Sequence, residues 1–274
     1  MCLSARVCLT TVFCAAILLS PVPARAQYSP PSSPVVGENY HIEAALTWWN
    51  PEPKLIVSSE SLGIPGDDVN LVADLGVLKK RLRELRLVLR PATKHKFRIN
   101  YLPIQYSAEA LVQREFIFNG QRYRIGLPVN TEADLTTWRF GYEYDFIYRS
   151  RGYLGVLLDV KYTNVDVVLE SPIGSEFTSQ VAPIPTIGVV GRGYIVDNLS
   201  ITGEVSFFKV PENLGEQLNG QGRYLDYDFY GTFNFNRYVG AQFGVRSIDV
   251  QYRKDLDAGT LNFVGWYFGG AIRY

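Results

Sequence analysis

Apolar and polar side chains alternate with a period of two residues through most of this chain. In residues 40–49, one set of alternate positions holds Tyr40, Ile42, Ala44, Leu46 and Trp48. The other set holds His41, Glu43, Ala45, Thr47 and Trp49. Successive side chains of a β-strand point to opposite faces, so this period predicts strands. The pattern recurs in ten segments: 38–50, 84–91, 96–107, 133–148, 153–170, 181–194, 199–210, 222–235, 239–254 and 259–274.

The links between these segments are alternately long and short. The long, polar links are 51–83, 108–132, 171–180, 211–221 and 255–258, and the short ones are 91–95, 149–152, 195–198 and 236–238. This alternation predicts an all-β fold, an up-and-down antiparallel β-barrel of about ten strands, with eight as the alternative count. The leucines around residues 77–83 also fit a helical stripe, so a short helix there stays open. Segments 114–118 and 121–125 flank Asn119 and Gly120, which predicts a hairpin with a type I′ turn inside the second link.

Two kinds of barrel alternate in this way, and the direction of the apolar face distinguishes them. A soluble ligand-binding barrel turns its apolar face inward, whereas a membrane barrel turns it outward around a polar lumen. In the fourth segment, one face carries six aromatic residues at the even positions 138–148, and the other carries Arg139, Glu143, Asp145 and Ile147. Six large rings on one strand suit lipid better than a narrow cavity. The predicted membrane-facing aromatics are Trp48, Trp138, Phe140, Tyr142, Tyr144, Phe146, Phe229, Phe233, Trp266 and Phe268.

The polar faces of the segments carry nearly equal numbers of acids and bases. An unpaired charge is costly to bury, so this balance favours a lumen closed to bulk water and filled by ion pairs. The balance, together with the aromatic faces, predicts a transmembrane barrel with a polar lumen, long extracellular loops and short periplasmic turns. The predicted lumen network comprises Glu43, Arg98, Arg139, Glu143, Asp145, Asp159, Lys161, Arg192, Glu204, Asp226, Asp228 and Arg246; Arg86, Arg90 and Arg273 share the same face.

The first 26 residues have the features of a secretory signal peptide. Arg6 precedes an apolar run at 7–19, and an A-x-A site follows at Ala24 and Ala26. The run is too short to cross a bilayer as a helix, which takes about 20 apolar residues. We therefore predict a signal peptide at 1–26, an extended periplasmic leader at 27–37 and the barrel at 38–274. All three cysteines (Cys2, Cys8 and Cys14) lie in the signal, so the mature chain is expected to have none.

The carboxyl end carries a more specific pattern. Tyr274 is the last residue, Ile272 lies two before it, Gly269 lies five before it, and Tyr267 precedes that glycine. Here the chain resembles the Gram-negative outer-membrane β-barrel families, mainly the small OmpA-, OmpX- and OmpW-like barrels, over about residues 38–274. The resemblance implies an outer-membrane location, contact with lipopolysaccharide, and a tail that the barrel-assembly machinery recognises. The long first link and the ten segments depart from the eight-stranded members, so no individual member's function is carried over.

Residues with the potential for catalysis or metal binding are few. His41 is predicted to share the lumen face with Glu43, and Ser206 could lie at a similar depth, so a hydrolytic arrangement is one interpretation. One more partner in the ion-pair network is the favoured alternative. Glu60, Asp67, Asp68 and Asp74 make the first long link acidic; a solvated loop is favoured over a Ca²⁺ or Mg²⁺ site. Zinc, haem and iron–sulfur sites lack ligands, so we expect no cofactor.

Composition and pattern leave three functions open. The equal numbers of acidic and basic residues, 27 of each, give no reason to expect nucleic acid as a partner. The first hypothesis is a structural or surface-interaction barrel, and the second is a narrow, porin-like pore for small solutes. The third is a lipid A-modifying or proteolytic barrel enzyme, which the presence of only two histidines disfavours.

Overall fold

The structure is a computed structural model that describes residues 35–61, 64–211, 220–254 and 257–274. The predicted signal peptide and most of the predicted leader lie outside these residues. No helix in the described part of the chain is long and apolar enough to span a membrane. The strands are β1 (Ile42–Ser59), β2 (Val69–Asn70), β3 (Leu82–Ala92), β4 (His95–Leu111), β5 (Phe116–Phe118), β6 (Gln121–Tyr123), β7 (Pro128–Arg149), β8 (Gly152–Ser171), β9 (Gly174–Val196), β10 (Leu199–Lys209), β11 (Gly220–Asn234), β12 (Val239–Lys254) and β13 (Asp257–Arg273).

Ten of these strands form a closed antiparallel barrel. The order is β1, β3, β4, β7, β8, β9, β10, β11, β12 and β13, and β13 pairs back with β1 from Glu43↔Arg273 to Ser59↔Asp257. The short strand β2 pairs with Ile56 and Val57 of β1, beyond the part of β1 that pairs with β3. Strands β5 and β6 form a separate hairpin. The predicted up-and-down barrel is therefore confirmed, with ten strands rather than eight. The hairpin turn is confirmed as well, because Asn119 (φ 50°) and Gly120 (φ 79°) both have positive φ, as type I′ requires.

Several predicted loops are shorter in the structure than in the sequence analysis. The predicted links 51–83 and 108–132 are partly strand, since β1 continues to Ser59, β4 to Leu111, and β7 begins at Pro128. The predicted link 171–180 is wrong, because β8 and β9 are joined by a tight turn at Pro172 and Ile173. Residues 77–83 form no helix, and β3 begins at Leu82. The strict alternation of long and short links is thus lost at two of the five upper connections, because β12 and β13 are also separated by only two residues, 255–256.

A bulge in β7 reverses the faces at its carboxyl end. The register of β7 against β8 shifts between Tyr144 and Ile147. An extra residue on one strand moves every later side chain to the opposite face. Ile147 is consequently exposed, and the Tyr148 ring packs against buried Tyr153 inside the barrel. The sequence analysis placed Tyr148 outward and Ile147 inward, and both placements are wrong for this reason.

The inward and outward faces exchange polarity partway up the barrel. We call the half next to the short turns the lower level and the half next to the long loops the upper level; on β7 these are residues 138–146 and 130–136. In the lower level of β8, Leu158 and Val160 are exposed, whereas Asp159 and Lys161 are buried. In the upper level of the same strand, Val165, Val167 and Leu169 are buried. The lower level is therefore apolar outside and polar inside, and the upper level is the reverse.

The upper interior is an apolar core to which the first two loops contribute. Leu71, Leu75 and Val77 of the first loop and Phe116, Phe118 and Tyr123 of the hairpin pack with inward residues of the strands in one buried cluster. Burial raises the pKa of Tyr123 to about 12. A core of this size orders the loops, because the apolar side chains leave water when the loops fold inward. We call this assembly of upper strands and inserted loops the cap.

An ion pair between half-exposed Arg114 and buried Asp74 ties the two loops of the cap together. Arg114 Nη2 lies 3.0 Å from Asp74 Oδ2, and Asp74 is almost fully buried. The hydrogen bond to Asp74 raises the pKa of the Arg114 guanidinium above its usual value. The Asp67 carboxylate accepts the backbone N–H of Ile117 at 2.7 Å. The favoured prediction of a solvated first loop is therefore wrong for Asp74. This residue is buried in the cap because Leu71, Leu75 and Val77 around it pack inward.

Candidate functional site

The lower interior holds a continuous network of buried charges, which is the strongest candidate for a functional site. At its centre, Arg139 reaches Asp159 at 2.7 Å and Glu204 at 2.5 Å. Arg98 shares Glu204 at 2.6 Å and contacts Glu143 at 3.3 Å. β4, β7 and β8 are neighbours in the sheet, whereas Glu204 lies on β10, which pairs with none of them. Such pairs are favourable in a dry interior only when each charge finds partners of good geometry.

A second group of charges lies against β11 and β12. Arg246 contacts Asp226 at 2.9 Å and Glu84 at 2.7 Å. Asp226 also accepts from Lys161 at 2.9 Å, and Glu84 also pairs with Arg86 at 2.7 Å. Each acid thus bridges two bases. This shared arrangement links strands that are not neighbours in the sheet, so the network acts as a strut across the lumen.

The lowest layer of the network faces the short turns. Lys96 lies 2.6 Å from Glu143 and 2.9 Å from Asp145, both of which are on β7. Glu43 of β1 pairs with Arg273 of β13, where the barrel closes. The Lys96 ammonium thus lies between two carboxylates. Lys96, Glu143 and Asp145 together carry one net negative charge when all three are ionised.

The segment just before β1 folds across the lower opening of the barrel. The backbone N–H of Val36 donates to Asp197, and the Val36 carbonyl accepts from Asn234 at 2.7 Å. Buried Glu38 lies between Arg90 at 3.5 Å and Arg192 at 3.4 Å. The residues at the end of the predicted leader are thus held against the turn end and extend the charge network to it.

Several cations of the network also lie over aromatic rings. Lys96 Nζ is 3.4 Å from the centre of the Tyr153 ring, and Lys161 Nζ is 4.2 Å from that of Tyr224. Arg90 lies over Tyr148 at 4.9 Å. A desolvated cation gains from the negative face of a ring, by about 2 kcal/mol or more where water is excluded. These contacts help to compensate each cation for its lost hydration.

Every residue of the predicted lumen network lies in the interior. Arg139 pairs with Asp159 on the neighbouring strand β8 and with Glu204 on β10, rather than with an acid on its own strand. Glu84, Lys96 and Glu38 also belong to the network and were not predicted. Glu84 and Lys96 have the same parity as Arg86 and Arg98, so alternation could have identified them; Glu38 precedes the first strand, where alternation carries no signal.

The network leaves almost no free space in the lower level. The cavity there has a volume of about 20 Å³ and is lined by Arg98, Arg139, Glu204, Asp226 and Arg246, among others. A water molecule needs roughly 10–15 Å³ of such volume, so about one fits. Buried charges therefore surround a cavity that holds about one water molecule.

The outward side of the lower level is a belt of apolar and aromatic side chains. Phe140 is 52% exposed and Phe229 is 59% exposed. Trp138, Tyr144, Phe146, Phe233, Trp266 and Phe268 are exposed too, and Trp48 and Tyr142 are half-buried by neighbouring rings. All the predicted membrane-facing aromatics thus lie on this side. Exposed aromatics in such numbers form a surface suited to lipid.

The side chains considered for hydrolysis do not come together. His41 is exposed at the turn end, because the chain turns between Tyr40 and Ile42, so the prediction that His41 shares the lumen face with Glu43 is wrong. Ser206 is buried and accepts from Lys161 at 2.7 Å. His95 contacts Tyr142 on the outer surface at 2.6 Å. Among the described residues, no group of three or more His, Cys, Asp or Glu side chains could hold a metal ion.

The four residues of the carboxyl-terminal pattern lie on both faces of β13. Tyr267 is buried and donates to Asp228 at 2.8 Å, whereas Ile272 and Tyr274 are 63% and 83% exposed. Gly269 faces inward, where a Cβ atom would overlap the Leu46 carbonyl. Tyr267 and Gly269 therefore face the interior, where β13 pairs with β1 to close the barrel. Ile272 and Tyr274 face outward and stay accessible in the folded barrel.

A closed antiparallel barrel with a lipid-facing belt and a charged interior defines a class, the outer-membrane β-barrel proteins of Gram-negative bacteria. Solved structures with this architecture include the outer-membrane protease OmpT from Escherichia coli (TM-score 0.52, 8% identity, 85% of this chain and 96% of that one). The attachment invasion locus protein Ail of Yersinia pestis (TM-score 0.39, 11% identity, 85% and 99%) and the transport unit of the autotransporter AIDA-I from Escherichia coli (0.41, 6%, 97% and 97%) are more distant. No family model and no curated protein matches the chain. At these identities the likeness concerns the fold alone.

Proposed function

We propose that the protein is a closed, non-conducting barrel of the outer membrane, and that its cap presents an interaction surface outside the cell. The observation that carries this proposal is the filled lower interior. The lower level leaves about 20 Å³ between its buried charges, and the cap core lies directly above it. A solute would have to break several buried ion pairs to pass.

The orientation of the proposal follows from the two ends. Short turns at one end and loops at the other are typical of outer-membrane barrels, whose turns lie in the periplasm. The cap then lies outside the lipopolysaccharide leaflet, and the segment around Glu38 lies in the periplasm. Cleavage near Ala26 would deliver the mature chain to this location.

Single-channel recording tests the proposal directly. Purified barrel reconstituted into planar bilayers is expected to give no stepwise current, while a general porin in the same bilayers does. Folded insertion is checked by heat-modifiable migration on gels, since a closed barrel resists detergent until it is boiled. Stable current steps from the native protein would contradict the proposal and favour the narrow pore.

We infer that the interior is not a hydrolytic centre. Ser206 is buried and accepts from Lys161, whereas His41 is exposed at the turn end of the barrel. The same preparation, incubated with labelled lipid A and with an unfolded protein substrate, is expected to release no product. Turnover of either substrate would overturn this inference.

A further inference from the structure

Four cations lie together on the outer surface where the first loop enters β3. They are Lys79, Lys80, Arg81 and Arg83, and all are exposed. We call these four residues the basic patch. Arg81 and Arg83 flank inward-facing Leu82, so both project from the outside of the barrel wall.

The basic patch lies at the upper margin of the lipid-facing belt. Arg83 is directly opposite Trp48 in the strand register. The Arg81 guanidinium lies 5.7 Å from the centre of the Phe268 ring, and that ring stacks on Trp48 at 5.6 Å. Below Arg83 on the same face, exposed Leu85 belongs to the belt. The cations therefore lie at the height of lipid headgroups, next to rings at the height of the uppermost acyl groups.

Little negative charge compensates the patch. Lys79 contacts Glu52 at 3.2 Å, but both side chains are more than 70% exposed, so the pair is weak. Within the described residues, Lys80, Arg81 and Arg83 have no carboxylate within 4.0 Å. The outer wall above the belt on β7 and β8 has the opposite charge, with Glu132, Asp134, Asp166 and Glu170 facing outward. An anionic headgroup is thus attracted to one side of the barrel and repelled from the other.

We propose that the basic patch binds a phosphorylated glycolipid headgroup in the outer leaflet. The cations would contact its phosphates, and the Trp48 and Phe268 rings would lie against the apolar part of the same molecule. A membrane lipid fits better than a soluble anion because the cations and the rings form one continuous surface at the belt margin. The inference rests on the proposed function for its orientation, with the cap outside the cell.

Lipid binding to the folded barrel tests this inference. The probe is fluorescent diphosphoryl lipid A, titrated into native protein in phosphatidylcholine vesicles. A variant with Lys79, Lys80, Arg81 and Arg83 all changed to Gln is expected to bind at least about tenfold more weakly, since each cation near a charged lipid surface contributes appreciably. The two loop changes alone, Lys79→Gln and Lys80→Gln, are expected to give part of this loss and leave β3 untouched. Lipid A stripped of its phosphates is expected to bind weakly even to native protein.

The matched control removes the same number of charges from the turn end. Its four changes to Gln are at exposed cations: Lys94, Arg149, Arg151 and Arg237. Native-like binding by this control, with loss in the patch variants, supports the inference. The inference would be overturned if the patch variants bound lipid A as tightly as native protein, or if the control lost as much binding as the patch variants. It would also be overturned if native protein bound dephosphorylated lipid A as tightly as the diphosphoryl form. Conductance is recorded on the same samples: current steps with patch-dependent binding would count against the proposed function alone.

Discussion

At the residue scale, strand register decides which charges of the interior meet. Residues four apart on one strand are separated by about 13 Å, whereas diagonal neighbours on paired strands are about 7–8 Å apart. Arg139 lies opposite Lys161, and Asp159 is the diagonal neighbour two residues away on β8, so Arg139 reaches Asp159 rather than Glu143 on its own strand. Alternation predicts which side chains enter the lumen, but their partners depend on a register that the sequence does not state.

Arg139→Leu is expected to destabilise the barrel by about 3–5 kcal/mol, because Asp159 then stays buried without its base. Adding Asp159→Asn is expected to recover part of that loss, since no carboxylate is left unpaired. The free energy of unfolding in urea, measured from lipid vesicles, gives the double-mutant cycle.

The matched control for this cycle is Lys209→Leu, which removes an exposed cation from β10 and is expected to change stability by no more than about 0.5 kcal/mol. Additive effects of the Arg139 and Asp159 changes would contradict the network. An equal cost for Arg139→Leu and Lys209→Leu would do so too.

At the element scale, the sequence predicts where strands lie better than where they end. The ten alternating segments correspond to the ten barrel strands, and Asn119 and Gly120 identify the hairpin turn. The upper ends of β1, β4, β7 and β9 were missed; on β7 the outward side chains there, Asn130 and Glu132, are polar and resemble loop residues. The β7 bulge and the packing of the first loop depend on contacts between distant segments, which local pattern does not carry.

Arginine substitutions on the outward face of β7 test the polarity exchange within one strand. Phe140→Arg is expected to lower the free energy of unfolding by about 2 kcal/mol. This value lies between the larger loss for an arginine at the bilayer centre and the small loss for one at the interface. Thr136→Arg, four residues away in the upper level, is expected to cost less than about 1 kcal/mol. Unfolding from vesicles measures both, and equal costs would mean that the belt does not end near Trp138.

At the scale of the whole molecule, the two kinds of barrel considered at the outset occur one above the other. The lower level is a membrane barrel, with rings outside and charges inside. The upper level is arranged like a soluble barrel, with the cap core inside and polar residues outside. In the proposed orientation the exchange marks the outer margin of the bilayer. It also explains why a single face assignment along each full strand fails.

The carboxyl-terminal pattern leads to a prediction about assembly rather than stability. The Tyr274 side chain is exposed in the folded barrel, so deleting this residue removes little side-chain packing, together with three backbone hydrogen bonds to His41 and Ile42. Deleting Tyr274 is expected to lower the yield of folded protein in the outer membrane far more than it lowers the stability of barrel refolded in vitro. Val239→Ala, an exposed change on neighbouring β12, serves as the control. Normal outer-membrane yield of the truncated chain would remove the assembly role of the tail.

A single-cysteine scan of β7 tests most directly whether the barrel has a lipid-facing belt around a closed interior. The natural cysteines all lie in the predicted signal peptide, so expressing residues 27–274 leaves one introduced thiol per variant. Even positions 138–144 should carry fluorophores that brominated lipid quenches, and even positions 130–136 should react with a water-soluble maleimide. Positions 139, 141 and 143 should do neither in the folded protein. Rapid maleimide labelling at those three positions would reveal a water-filled lumen, and lipid quenching at 130–136 would place the upper level inside the bilayer; either result would contradict the account.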